Sequence, residues 1–299
     1  MSYNACIVIL SSRHKCLEHC LTTLYKHYNN KYDYPVYVHY FDNIYDDESY
    51  RKKIHNNISS NIHFISVPYK TPSHIKEKHL FYNRKDLHYA RKKFSIKRKG
   101  YLHMCNFTSN MYGYENTHIH EYDYVMTYDD ESGYVKDLPY DPVDIMANRE
   151  EDMGALISGQ RLKNGAPHQG HLDTRFGLWV FTKKFLEDNN IEPQFPALKA
   201  LMTDPKAEYN FHFLPWSDSY VIKTKMFETE IYKKWTDAVN ESGGIYKGRW
   251  GDNEIMSLFY MIYDKNGVYN LKTVEDGYHN QGLFRKMQSK APSVKNTKI

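Results

Sequence analysis

Three short apolar runs near the amino terminus, spaced by lengths that suit helices, limit what this chain can become. "ACIVIL" (5–10), "PVYVHYF" (35–41) and "IHFISV" (62–67) are continuous and rich in β-branched and aromatic residues. They read as strands, the first of them buried on both faces. Between the first two, a helix is expected from about Lys15 to Tyr28, because Cys16, Cys20 and Leu24 fall on one helical face. A second helix is expected near 47–57. This β-α-β-α-β order predicts a parallel sheet with helices on both faces. Ligands bind such sheets at the carboxyl ends of the strands. The 299 residues suit one large domain or two small ones.

Several function classes drop out. No GxGxxG follows the first strand and no GxxxxGK[ST] occurs, which disfavours a dinucleotide enzyme and a P-loop NTPase. The G-x-S-x-G elbow of α/β-hydrolases is absent as well. A formal net charge of +4 is small for this length, so no nucleic-acid partner is expected. The basic run "RKKFSIKRK" (91–99) reads as a solvated helix face. The four cysteines, Cys6, Cys16, Cys20 and Cys105, include no CxxC pair and read as buried, reduced thiols. No run of about 18 apolar residues occurs, so no membrane span is expected. "MSYNACIVIL" lacks the marks of a signal peptide. A soluble, cytoplasmic chain is expected as the sequence stands, with a domain freed of a membrane anchor as the alternative. Residues 286–299 read as a basic tail.

The stretch "YDYVMTYDDESGY" (122–134) carries the chemistry. A strand-like run ends abruptly in Asp129, Asp130 and Glu131. Three adjacent carboxylates repel one another, and a strand end does not require them. A hard divalent cation does: Mg²⁺ or Mn²⁺ takes oxygen ligands, commonly one or two carboxylates plus substrate phosphates. The other reading is a solvated acidic turn. Asp129 and Glu131 form an acid-x-acid pair that resembles the D-x-D element of metal-dependent GT-A glycosyltransferases.

Further segments recur in a familiar order: "RKGYLHMCNFTSNMY" (98–112), "FHFLPWSDSYVI" (211–222), "SGGIYKGRWGDNEIMSLFYMI" (242–262) and "VEDGYHNQG" (274–282). From about residue 5 to 283 the chain resembles glycosyltransferase family 15, the fungal α-1,2-mannosyltransferases. The most specific piece, "GGIYKGRWGDNEIMS", is similar to that family's G-G-F-Y-x-x-R-W-G-D-A-P-V-H-S. The resemblance implies an α/β, GT-A-like nucleotide-sugar-binding fold with a central mixed, mostly parallel sheet flanked by helices. It implies a single domain over 1–285, with the nucleotide-binding part at about 1–150 and the acceptor-binding part at about 151–285. It also implies a GDP-mannose donor, a glycan acceptor, Mn²⁺ (or Mg²⁺), and retention of anomeric configuration.

Residue by residue, the resemblance gives the metal to Asp129, Glu131 and His279, whose imidazole suits Mn²⁺. It gives the nucleotide sugar to Arg13, Tyr101, Asp130 and Trp216, and the acceptor to Arg249 and Trp250. Asp218, Tyr220 and Asp252 are the candidates for the reaction itself. The family's Y-x-H-M-C-R becomes Tyr101 to Asn106 here, keeping the tyrosine and losing the arginine. In the family's W-S-N-F-E-I the glutamate lies near the anomeric carbon. An ungapped comparison puts Tyr220 in its place, so either Asp218 supplies the carboxylate or none is needed. Without a carboxylate, the departing phosphate takes the acceptor proton in a front-face attack, unlike the two-carboxylate scheme of retaining glycosidases. Plainer roles stand beside these: Asp252 as N-cap of a helix from about Asn253 to Tyr263, Trp216 and Trp250 as core, Arg13 as a surface charge, His279 as a loop residue.

Overall fold

A computed structural model of the chain describes residues 3–83, 99–156, 177–203, 219–271 and 277–279. The expected opening is present. Strands β1 (Ala5–Leu10), β2 (Val36–Tyr40) and β3 (Ile62–Ser66) pair in parallel. Helix α1 (His14–Leu24) buries Cys16, Leu17, Cys20, Leu21 and Leu24. Helix α2 (Glu48–Asn57) starts where Asp47 accepts a hydrogen bond from the Ser49 amide, an N-cap that satisfies one of the free donors of the first turn. The expected 15–28 helix is α-helical only to Leu24 and continues as a π-type turn over Tyr25–Asn29. There the Asn29 amide exchanges hydrogen bonds with the backbone of Tyr34, which closes the loop into β2.

The main sheet has seven strands in the order β3-β2-β1-β4-β7-β6-β8. β4 (Tyr124–Asp129) lies parallel to β1, β7 (Tyr220–Lys223) runs antiparallel to β4, and β6 (Met153–Ala155) antiparallel to β7 and parallel to β8 (Tyr269–Asn270). The sheet is thus mixed and mostly parallel, and takes strands from both halves of the chain. β1 alternates as its composition requires: Ala5, Ile7 and Ile9 pack with α1, while Cys6 and Val8 pack with Phe107 and Met111 on the other side. Phe107 belongs to helix α3 (Lys99–Ser109), so helices cover both faces. All four cysteines are buried and free.

Beyond β4 come α4 (Pro142–Ala147), α5 (Leu178–Asp188), α6 (Pro196–Thr203), α7 (Glu230–Ser242), α8 (Gly244–Gly248) and α9 (Asp252–Tyr263). Helix α9 is buried from Glu254 through Ile262. A helix that is apolar almost all round belongs in an interior, and α9 packs against α3 and α7. The chain turns from α7 into α8 at Gly243, in the left-handed region at φ 64°, a C-terminal cap that glycine reaches without a Cβ penalty.

Two topological facts position the site. The chain leaves β1 toward β2 and β3 on one side, while β4 flanks β1 on the other. That makes the carboxyl ends of β1 and β4 a switch point, where α/β sheets open a crevice for ligands. The register sets Leu10 opposite Asp129, so the residues after β1 and after β4 enter that crevice together.

Candidate active site at the carboxyl ends of β1 and β4

Ser11 and Arg13 follow β1, and Asp130 and Glu131 follow β4. Asp130 and Glu131 are buried. The Ser11 hydroxyl donates to Asp130 Oδ2 at 2.7 Å and lies 2.6 Å from the Tyr45 hydroxyl. The Arg13 guanidinium spans both acids: Nε donates to Asp130 at 3.3 Å, and its terminal nitrogens bond Asp130 and Glu131. It also stands 3.7 Å from Asp129. Burial opposes the Arg13 charge, but the hydrogen bond and the charges of Asp130 and Glu131 outweigh it and raise the pKa. For Asp130 the balance tips the other way, since burial raises its pKa further than Arg13 lowers it. The turn is closed by the Ser132 amide, which donates to the Asp129 carbonyl at 2.9 Å. Asp129 keeps 24% of its side chain exposed, against 2% and 7% for its neighbours, so it is the carboxylate that faces the crevice.

The carboxyl-terminal part of the chain returns to this turn. β5 (Gly133–Tyr134) and β9 (Tyr278–His279) pair antiparallel, with Gly133 opposite His279 and Tyr134 opposite Tyr278. A hydrogen bond of 2.9 Å from the Val135 amide to the Gly277 carbonyl extends the pairing. The backbone of His279 is thereby brought beside the acid turn; its side chain lies outside the described residues. Among the described residues no group of three or more His, Cys, Asp or Glu is arranged to hold a metal ion.

A second cluster lies where α3 meets the amino-terminal end of α9. Arg249, buried and left-handed at φ 56°, stacks its guanidinium 4.4 Å from the Tyr101 ring centre. The plainer role of Asp252, as N-cap of α9, is not the one it takes. Instead Gly251, extended at φ −80° and ψ 149°, holds the cap position without a side-chain bond, and Asp252 is the first helical residue. Its carboxylate accepts from the Cys105 thiol and from the backbone of Asp252 and Asn253. Burial, and then the charge of Glu254, push its pKa up to about 7. The Tyr220 hydroxyl bonds Asn253 Oδ1, and its amide donates to Thr127 Oγ1 at 3.0 Å. Tyr220, Asp252, Asn253, Thr108 and Thr127 help line a cavity of about 10 Å³, the size that admits one water.

Trp250 is buried, with its ring 5.0 Å from Phe181 and packed under Gly244. Trp216, Asp218 and the 91–98 part of the basic run lie outside the described residues, as does the 286–299 tail. The structure thus gathers Arg13, Asp129, Asp130, Glu131 and the His279 backbone in one place. It gathers Tyr101, Arg249 and Asp252 in another, with Tyr220 reaching the second through Asn253.

The sequence profile described as glycolipid 2-alpha-mannosyltransferase matches residues 1–291. The chain belongs to this mannosyltransferase family. It is 26% identical over 266 residues to the O-glycoside alpha-1,2-mannosyltransferase omh1 of Schizosaccharomyces pombe, covering 87% of this chain and 64% of that protein. It is 28% identical over 170 residues to glycolipid 2-alpha-mannosyltransferase 1 of Candida albicans, covering 55% and 36%. The chain therefore spans from about a third to about two thirds of the length of these relatives. Two solved structures share the GT-A-like fold. The mannosyltransferase Ktr4p of Saccharomyces cerevisiae in complex with GDP has a TM-score of 0.70 at 20% identity, over 93% of this chain and 71% of that one. Core-mannan synthase A of Aspergillus fumigatus, in a Mn/GDP form, has a TM-score of 0.69 at 20% identity, over 93% and 74%. No described helix is long and apolar enough to cross a membrane.

In this family member some contributors to the site carry little sequence signal. Ser11 belongs to a pair of serines that reads only as a polar turn, yet it holds Asp130. Cys105 reads as a generic buried thiol, yet it is bonded to Asp252. Asn253 departs from the alanine of the resembled motif, which was the available signal, and it engages Tyr220.

Proposed function

We propose that this chain transfers mannose from GDP-mannose to a sugar hydroxyl of a glycan acceptor, with retention of configuration and with Mn²⁺ or Mg²⁺ as cofactor. The observation that carries the reading is the β5–β9 pairing. It brings the backbone of His279, 150 residues from Asp129, to the acid turn at the switch point of the sheet. The donor set fits the ion in its chemistry: carboxylate oxygens with an added imidazole suit Mn²⁺. Asp129 and His279 would hold the ion, with Glu131 as the further carboxylate. When bound, the ion supplies charge neutralisation to the departing diphosphate.

The chain's own groups do the rest. Arg13 offers a guanidinium in the same crevice, and guanidinium matches phosphate oxygens in pairs. In this reading Asp130, bonded by Ser11 and Arg13, orients Arg13. Tyr101 and Trp216 belong to the donor, while the buried Arg249 and Trp250 shape the wall behind the acceptor. Asp218 and Tyr220 are the side chains proposed to act near the anomeric carbon. The bond from that carbon to the phosphate oxygen breaks, the bond to the acceptor oxygen forms on the same face, and the acceptor proton ends on the diphosphate. That scheme needs no covalent carboxylate, which accommodates Tyr220.

The test is titration calorimetry of GDP and UDP with Mn²⁺ and with EDTA. GDP is expected to bind better than UDP, only with the metal, and Asp129→Ala is expected to abolish the metal-dependent part. Equal GDP affinity in EDTA or in Asp129→Ala refutes the metal site, and a preference for UDP points to another nucleotide sugar. Tight GDP binding with neither transfer nor donor hydrolysis makes the chain a binding protein.

A further inference from the structure

One buried phenol joins the segments that carry the proposed site. Tyr278 is 2% exposed, and Ser132 and Ser219 are fully buried. The Tyr278 hydroxyl donates to Ser132 Oγ at 2.7 Å and lies 2.5 Å from Ser219 Oγ. A phenol has one proton to give, so when it is given to Ser132 the Ser219 hydroxyl donates to Tyr278. The result is a directed chain, Ser219 to Tyr278 to Ser132, made of three buried side chains.

Each member stands next to something the reaction needs. Ser132 follows Glu131 and anchors the turn through its amide on the Asp129 carbonyl. Tyr278 precedes His279 on β9, across from Tyr134. Ser219 precedes Tyr220, and its carbonyl accepts from the Leu156 amide at 3.0 Å. The short β5–β9 ladder pairs two residues on each strand, too little backbone bonding to fix a geometry by itself. The approach to β9 is constrained too: Gly277 sits at φ 94°, where a Cβ would meet Lys136 at 2.5 Å.

We infer that Tyr278 is a positioning residue whose hydroxyl sets the acid turn, β9 and the start of β7 in register, so that metal affinity depends on its Ser132 leg and turnover on its Ser219 leg. The inference rests on the mannosyl-transfer reading above. It goes beyond it by assigning separate duties to the two hydrogen bonds. Loss of a group that orients metal ligands typically weakens metal affinity or activity roughly 10- to 100-fold.

The experiment uses Tyr278→Phe, Ser132→Ala and Ser219→Ala, each checked for folding by circular dichroism. Mn²⁺ affinity is read by electron paramagnetic resonance, and kcat with KM in steady state. Tyr278→Phe is expected to weaken Mn²⁺ binding roughly 10- to 100-fold. Ser132→Ala is expected to reproduce that loss. Ser219→Ala is expected to keep Mn²⁺ affinity and lower kcat about tenfold. Equal Mn²⁺ affinity in wild type and Tyr278→Phe overturns the inference while leaving the function intact, as does a Ser219→Ala variant that loses metal as Ser132→Ala does. Should Tyr278→Phe not fold, the two serine variants decide by the same split. A wild-type chain that binds neither Mn²⁺ nor GDP overturns the mannosyl-transfer reading and this inference with it.

Discussion

Asp252→Asn should make the protein more stable at neutral pH, by an amount that disappears in acid. The carboxylate of Asp252 is held at the start of α9 by burial and by the neighbouring charge of Glu254, which lift its pKa from 3.8 to about 7. An acid whose folded pKa is raised prefers its proton in the native state. Between pH 3.8 and about 7 the native chain therefore binds more protons than the unfolded chain, and stability falls as pH rises. Below that window both states are protonated and the effect vanishes; above it the penalty is complete. At about 1.4 kcal/mol per decade the full penalty is on the order of 4 kcal/mol. Asparagine keeps the shape and an acceptor for the Cys105 thiol but never ionises. Urea unfolding of both proteins at several pH values from 4.5 to 8 gives the comparison. The wild type should lose stability relative to the variant across the window, reaching a difference of about 2–4 kcal/mol at pH 8. Parallel curves would refute the reasoning, because no other group differs between the two chains. A carboxylate kept at such cost points to a use for its charge, so transfer should fall in the same variant.

Arg13→Gln removes the guanidinium that pairs with the buried Asp130 and Glu131. Breaking a buried pair costs about 3–5 kcal/mol, and the 43% exposure of the Arg13 side chain reduces that to about 1–3 kcal/mol. Protonation relieves buried carboxylates, so the deficit should shrink on acidification, and a deficit in urea unfolding that does not change with pH refutes the pairing. Gly244→Ala would put a Cβ 2.2 Å from Trp250 Cε3, and should cost about 1–3 kcal/mol by overpacking, read as a shifted urea midpoint. Asp218→Asn should slow transfer by roughly 10²–10³ without changing the product anomer. Tyr220→Phe, which loses the bond to Asn253, should do less. An inverted product by NMR, or a glycosylated Asp218 by mass spectrometry, sinks the front-face scheme.

The first half of the fold was legible because its signals are local. β1 is a run whose every residue is apolar and needs cover on both faces wherever it sits, while β2 and β3 are short runs rich in Val, Ile and aromatic residues, the composition of strands. The acid turn was legible for the same reason: three adjacent carboxylates demand a partner that no neighbour in sequence supplies. What escaped the sequence is the identity of that partner. The resemblance gives Arg13 to the nucleotide sugar. Yet the register that sets Leu10 beside Asp129 also sets Arg13 beside Asp130 and Glu131, and register between strands more than a hundred residues apart leaves no mark on either.

The same limit hides the second cluster. Trp250 and Arg249 look like surface tools for a sugar because tryptophan and arginine often serve there. The structure buries both, since the left-handed turn at Arg249 and the missing Cβ at Gly244 let the chain fold the indole inward. Tyr220 illustrates the consequence for function. As a letter replacing a carboxylate it reads as a loss, but its hydroxyl is engaged by Asn253, itself a departure from the resembled motif. Two departures that bond to each other act as one change. They close the space beside Asp252 with a neutral pair, leaving Asp252 and Glu254 as the carboxylates at the start of α9. The Asp252 carboxyl, lifted to a pKa of about 7 by burial and by the charge of Glu254, is the titrating group of that cluster that Asp252→Asn removes.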